Sequence, residues 1–132
     1  MRGFTKRAHR KVSLRFGDEE ITYTLEALPV LFMTMLHSVL PVPEASDKSY
    51  KTAMYNRRAL AMVAESLRGT EEGIPSHPDP GDDLLAWIRY TDELAEVYRS
   101  AGLTTAMINR LGLVVDELDR LTGEELETMG NG

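Results

Sequence analysis

Residues 12–40 contain two hydrophobic patterns that predict different secondary structures. Apolar residues alternate with polar ones over residues 12–16 and again over residues 21–25. A period of two is typical of strands with one buried face. The polar segment between them begins with Gly17, a residue that favours a chain reversal. These segments predict a β-hairpin.

The hairpin leads directly into a strongly apolar segment. Pro29 lies near its start, where a helix tolerates the missing N–H. From residue 30 to residue 40 only Thr34, His37 and Ser38 are polar, so the predicted helix has almost no polar face to expose to solvent. We therefore expect later helices, or a partner, to cover it.

Three further segments have the three-to-four-residue spacing of amphipathic helices. Each is preceded by a side chain that can accept hydrogen bonds from the first helical turn. The segments cover residues 48–68, about 83–101 and about 105–122, and the predicted N-caps are Ser46 or Asp47, Asp82 or Asp83, and Thr104. The whole pattern predicts an α+β fold, mainly α, with an N-terminal β-hairpin followed by about four helices.

Two local features interrupt this pattern. The longest polar break, residues 70–81, contains three prolines and two glycines. Its length makes it a candidate for mobility or for contact with another group. Gly112 lies inside the last predicted helix, where glycine costs roughly 1 kcal/mol relative to alanine. Close packing of a neighbouring helix is the expected reason for it.

Charge is distributed unevenly along the 132 residues. The first fifteen hold six of the fifteen basic residues and no acidic one, so the remainder has nine basic against twenty-one acidic residues. We predict a basic flexible arm at residues 1–11, a single α+β domain at residues 12–123 and an acidic C-terminal tail at residues 124–132. A basic arm can contact phosphate or an acidic surface, but most such arms are simply solvated.

Composition excludes several kinds of protein. The chain has no cysteine, so disulfides and thiolate metal sites are impossible. The apolar helix is shorter than the roughly 20 residues that a membrane span needs. The basic N-terminal residues are not followed by the apolar run of a signal peptide. We therefore expect a cytoplasmic protein that does not enter membranes.

Catalytic chemistry is hard to find in the sequence. His9, His37 and His77 lie in the arm, the apolar helix and the proline-rich loop, and no nucleophile or carboxylate is placed to form a triad with them. The acidic segment at residues 79–83 lacks the ligand spacing of a calcium loop, and helix capping explains its aspartates better. No nucleotide-binding or zinc-protease motif occurs. We expect a non-enzymatic protein without cofactor or metal.

Nucleic-acid binding is also disfavoured. The last two helices are joined by a short turn at residues 101–103, which resembles a helix-turn-helix. A recognition helix normally presents net positive charge. The last helix carries two arginines against three acids, namely Arg110 and Arg120 against Asp116, Glu117 and Asp119.

The methionine content favours protein binding instead. Seven methionines are many for this length, and flexible, Met-containing apolar surfaces suit binders of variable targets. An apolar first helix with Met-bearing neighbours would form a groove for a partner helix. The predicted partner-binding residues are Leu31, Phe32, Met33, Met35, Leu36, Met54 and Met62.

The order of these elements resembles the tail assembly chaperones of long-tailed bacteriophages. The resemblance is carried by the hairpin KVSLRFGDEEITYTLEAL, the helix segment NRRALAMVAESLRG and the closing segment AGLTTAMINRLGLVVDELDRLTGEE, which together extend from about residue 11 to residue 125. It implies a non-enzymatic, self-associating protein in the host cytoplasm. Its partners would be the tape-measure protein, which it shields, and the tail tube protein, which displaces it.

Two alternatives remain at this stage. A structural protein of the phage particle, such as a head–tail connector or a tail completion subunit, also combines small β elements with helices. A small DNA-binding regulator would use the basic arm at residues 1–11.

Overall fold

A computed structural model describes residues 8–120 and has one antiparallel hairpin followed by four helices. The elements are β1 (His9–Phe16), β2 (Glu19–Glu26), α1 (Phe32–Val39), α2 (Lys48–Leu67), α3 (Leu84–Ser100) and α4 (Thr105–Arg120). The predicted α+β, mainly α, fold is confirmed. Residues 1–7 of the predicted arm and the whole predicted tail at residues 124–132 lie outside the described residues.

The hairpin has the predicted alternation and a longer first strand than predicted. β1 begins three residues before Val12, because His9 already pairs with Glu26. The turn consists of Gly17 and Asp18, and Gly17 has φ 66, a conformation that two-residue hairpin turns require and glycine adopts without strain. Residues 9–11 of the predicted arm therefore belong to the sheet.

One face of the hairpin packs on the helices. Its buried side chains are Val12, Leu14, Tyr23 and Leu25. They contact α2 and α4, and α2 also packs against α3. α2 is thus the central element of the core, between the hairpin and the other helices.

The N-caps of the three long helices are side chains from the predicted sets. Asp47 accepts a hydrogen bond from the Tyr50 amide at 2.8 Å, and Asp83 accepts one from the Ala86 amide at 2.9 Å. The hydroxyl of Thr104 accepts one from the Met107 amide at 3.2 Å. These side chains satisfy amides that have no partner within the helix.

Helix α1 is shorter than the apolar segment predicts. It begins at Phe32 instead of near Pro29, because residues 29–32 form a turn in which the Phe32 amide donates to the Pro29 carbonyl at 3.1 Å. Phe32, Leu36 and Val39 are buried, whereas Thr34 and His37 face solvent. One face of α1 packs on the core, and the apolar residues before it form an exposed turn. These two features together account for the apolar composition of the segment.

Gly112 faces α2, but close packing of this helix, the expected reason for the glycine, does not explain it. A methyl group built at Gly112 would lie 3.5 Å from the Cε of Met62 and 3.9 Å from the Cβ of Ala59. These are ordinary van der Waals distances, so the neighbouring helix is close but leaves room for alanine. The packing therefore does not require glycine at this position.

Candidate functional site

Two aliphatic side chains in front of α1 are turned into solvent. Val30 is 91% exposed and Leu31 is 72% exposed. The next residue, Phe32, is buried. A single exposed leucine is common on protein surfaces, but two adjacent aliphatic side chains at the corner of a turn form a small apolar projection. We call Val30 and Leu31 the apolar tip.

The apolar tip is held in an unfavourable backbone conformation. Leu31 has φ 66 and ψ 8, which is the third position of a type II turn and normally belongs to glycine or asparagine. A bulky L-residue there costs about 1–2 kcal/mol. Strain of this kind persists only where the surrounding structure imposes it, and it is concentrated at functional sites.

The anchors of the tip lie on both sides of it. Phe32 donates its amide to Pro29, and the Leu31 carbonyl accepts the Met35 amide at 2.9 Å. The buried ring of Phe32 fixes the start of α1 against the core. The two exposed side chains are therefore presented by a fixed backbone.

The structure divides the seven predicted partner-binding residues into three groups. Phe32, Leu36, Met54 and Met62 are buried in the core. Met33 and Met35 are half-buried, and Leu31 is exposed. A partner could reach the four buried residues only if the fold opened, so the structure has no open groove along all seven. Only Leu31, Met33 and Met35 remain available at the surface.

The sequence-based prediction missed Val30. The residue is apolar and lies within an apolar run, so its sequence pattern predicted a helix that later helices or a partner would cover. The available signal was its position directly after Pro29, where a turn can precede the first helical residue. The left-handed conformation of Leu31 has no such signal, because leucine is not a residue that turns of this type select.

A positively charged side chain of α2 is fixed beside the C-terminal end of α1. Arg58 donates from Nε to the Leu40 carbonyl at 2.8 Å, and its guanidinium lies 5.6 Å from the centre of the exposed Tyr55 ring. Partial burial, and secondarily the charge of Arg58, lower the pKa of His37. This lowered pKa favours the neutral form of His37 beside the charge of Arg58.

A cluster of polar side chains lies next to the proline-rich loop. Arg68 contacts Glu65 at 3.3 Å and donates to the Tyr90 hydroxyl at 3.2 Å. The Nε2 of His77 lies 3.9 Å from the same Glu65 carboxylate, and its Nδ1 is 2.7 Å from the Pro78 carbonyl. Each of these groups is bound to another part of the protein, so we interpret the cluster as an anchor for the loop.

Neither a metal site nor a membrane span is found in the part of the chain that the structure describes. Residues 8–120 contain no group of three or more histidine and acidic side chains that could hold a metal ion. None of the four helices has the length and apolar character needed to cross a bilayer.

Comparisons with protein-family models, with curated proteins and with solved structures find no match for this chain. Function is therefore inferred from the surface of the molecule and from its sequence pattern.

Proposed function

We propose that this protein is a non-enzymatic tail assembly chaperone, which binds and shields the tape-measure protein while the tail tube assembles. The observation that carries the proposal is the apolar tip, because Val30 and Leu31 are exposed in a strained turn that a purely structural corner would avoid. The resemblance of the sequence pattern to this family supports it. The place of action would be the host cytoplasm.

A tape-measure protein is a long helical rod with apolar side chains, and such surfaces aggregate until they are covered. The apolar tip would contact those side chains, and the half-buried Met33 and Met35 next to it would adapt to different segments. The net charge of −6 would keep the complex soluble. Many copies would line the rod until tail tube subunits displace them.

Co-expression tests this proposal. The chain is produced together with a candidate tape-measure protein, and the soluble fraction of that protein is measured. Val30→Asp and Leu31→Asp should each reduce it, because a carboxylate cannot enter an apolar contact without a large desolvation cost. Leu113→Asp is the matched control, since Leu113 is 71% exposed on α4. Equal solubility with all three variants would refute the role of the tip.

Purified virions test the class of protein. A chaperone is absent from the finished particle. Presence at a fixed number of copies would overturn the proposal in favour of a connector or tail completion subunit. Salt-sensitive DNA binding that disappears on deletion of residues 1–11 would overturn it in favour of a DNA-binding regulator.

A further inference from the structure

The register of the hairpin determines which backbone groups point outward along its two long edges. Phe16 and Glu19 flank a two-residue turn, and such a pair exchanges both backbone hydrogen bonds. The bonding then alternates along the ladder, as the bond from the Ala27 amide to the Ala8 carbonyl also indicates. The other residues point their N–H and C=O groups outward. On β1 these outward residues are His9, Lys11, Ser13 and Arg15.

The outer edge of β2 is occupied at residues 24–26. The Thr70 hydroxyl donates to the Thr24 carbonyl at 2.7 Å, and the Ser66 hydroxyl donates to the Glu26 carbonyl at 2.7 Å. Both donors come from the C-terminal end of α2 and the residues after it. The end of this edge at residues 24–26 is therefore covered by the protein itself, and Glu20 places a negative charge near its other end.

The outer edge of β1 has no comparable cover. Within residues 8–120, no backbone hydrogen bond reaches the outward N–H and C=O groups of Lys11, Ser13 and Arg15. All three side chains are exposed. An uncovered strand edge of this kind is a template for another strand.

The uncovered edge is positively charged. Lys11 and Arg15 lie four residues apart on the same face of β1, with Ser13 between them. Arg15 is 3.3 Å from Glu20 across the hairpin, but both side chains are well exposed, and a pair of this kind contributes little. The edge therefore keeps most of its positive character.

We propose that this edge of β1 binds an extended acidic segment of another protein by addition of a strand. Residues directly opposite one another in a sheet have side chains on the same face. The bound segment would thus place carboxylates opposite Lys11 and Arg15, four residues apart, with a small polar residue opposite Ser13. The main-chain bonds supply affinity and these side-chain pairs supply specificity.

Charge argues for this occupant over a second copy of the chain. Two β1 strands placed edge to edge would bring the same basic side chains beside one another, which destabilises a sheet. The proposal uses a different surface from the apolar tip and does not depend on the tape-measure partner.

A labelled synthetic peptide tests the proposal, with the core Glu-Val-Thr-Val-Glu and a control in which both glutamates are lysines. We expect binding of the acidic peptide by fluorescence anisotropy at low salt, and weaker binding as salt is raised. Ser13→Pro removes an outward donor without breaking the hairpin ladder. We expect it to weaken binding by about tenfold or more.

Thr22→Pro is the matched control. Ser13 and Thr22 share one hydroxyl hydrogen bond of 2.8 Å, so both variants lose it, but Thr22→Pro alters only the opposite edge. We expect its binding to remain within about twofold of the original, since no contact with the peptide changes. Equal weakening by both prolines would overturn the proposal.

Charge reversal provides a test that leaves the backbone unchanged. The double variant Lys11→Glu with Arg15→Glu should prefer the lysine peptide. An unchanged preference, or no peptide binding to the original chain, would overturn the proposal. Binding that appears only after deletion of residues 121–132 would also overturn it, since the chain's own acidic end would then be the occupant.

Discussion

The imidazole of His77 stacks on the indole of Trp87, with ring centroids 5.5 Å apart and planes 20° from parallel. The Trp87 Nε1 also donates to the Asp79 carbonyl at 3.3 Å. His77 further approaches Phe32, with a centroid distance of 6.1 Å. The proline-rich loop is thereby attached both to α3 and to the start of α1, and what it contacts is the core of its own chain.

Removal of the His77 ring should loosen this attachment. Aromatic contacts contribute about 0.5–1.5 kcal/mol beyond the area they bury, so we expect His77→Ala to lower the free energy of unfolding by roughly 1–2 kcal/mol. Urea denaturation followed by Trp87 fluorescence measures this. Ser76→Ala changes an exposed neighbour in the same loop and should have no effect. Equal stability of the two variants would show that the stack contributes nothing.

Two fully buried side chains should be costly to truncate. Trp87 and Leu111 have no exposed surface, so we expect Trp87→Ala to cost about 3–5 kcal/mol and Leu111→Ala about 2–5 kcal/mol. Leu85→Ala is the control on α3, because Leu85 is 51% exposed. Thermal unfolding followed by circular dichroism compares the three. A melting temperature for Trp87→Ala equal to that of the original chain would contradict the burial of this side chain.

Two glycines should respond to alanine in opposite directions. Gly112 has helical surroundings with room for a methyl group, so we expect Gly112→Ala to stabilise by about 1 kcal/mol. Gly102 has φ 84, and a methyl group there would approach the Phe16 ring to 3.3 Å. Gly102→Ala should therefore destabilise by about 1 kcal/mol or more. Chemical denaturation of both variants checks the difference in sign.

Relief of strain in the apolar tip should stabilise the fold. Glycine adopts the positive φ of Leu31 without steric cost, so we expect Leu31→Gly to raise the free energy of unfolding by up to about 1 kcal/mol. Under the proposed function, the same variant would also bind the tape-measure protein more weakly, because the exposed side chain is lost. Val30→Gly is the control and should not stabilise, since Val30 has no positive φ. Destabilisation by Leu31→Gly would show that the leucine serves the fold.

Stability should fall in alkaline solution because of buried phenols. Burial raises the pKa of Tyr90 to about 12, with Arg68 acting in the opposite direction. The unfolded chain therefore releases this proton from about pH 10 upward, while the folded chain retains it to about pH 12. Stability is present in full below pH 10 and decreases as the pH rises toward 12. A rise of about two in this pKa corresponds to a loss of about 2–3 kcal/mol in the free energy of unfolding.

Tyr90→Phe should reduce the alkaline loss of stability, measured by urea denaturation at several pH values between 9 and 12. Burial also raises the pKa of Tyr98, so part of the loss will remain. Tyr55→Phe is the control, because the Tyr55 ring is exposed. An identical pH profile for Tyr90→Phe and the original chain would contradict this assignment.

Periodicity was sufficient to predict the hairpin and all three long helices. Their hydrophobic patterns repeat over many residues, and their caps are local interactions between neighbours such as Asp83 and Ala86. A local signal of this kind depends little on the rest of the chain. The fold class was predictable for the same reason.

Only the tertiary structure decided which apolar residues are core and which are surface. Phe32, Leu36, Met54 and Met62 share their chemistry with Leu31, but burial depends on what packs against each position from distant parts of the chain. The left-handed turn at Leu31 and the uncovered edge of β1 follow likewise from three-dimensional packing. The sequence by itself determined the elements and their order, because that information is local. Which surfaces stay open was decided by long-range contacts.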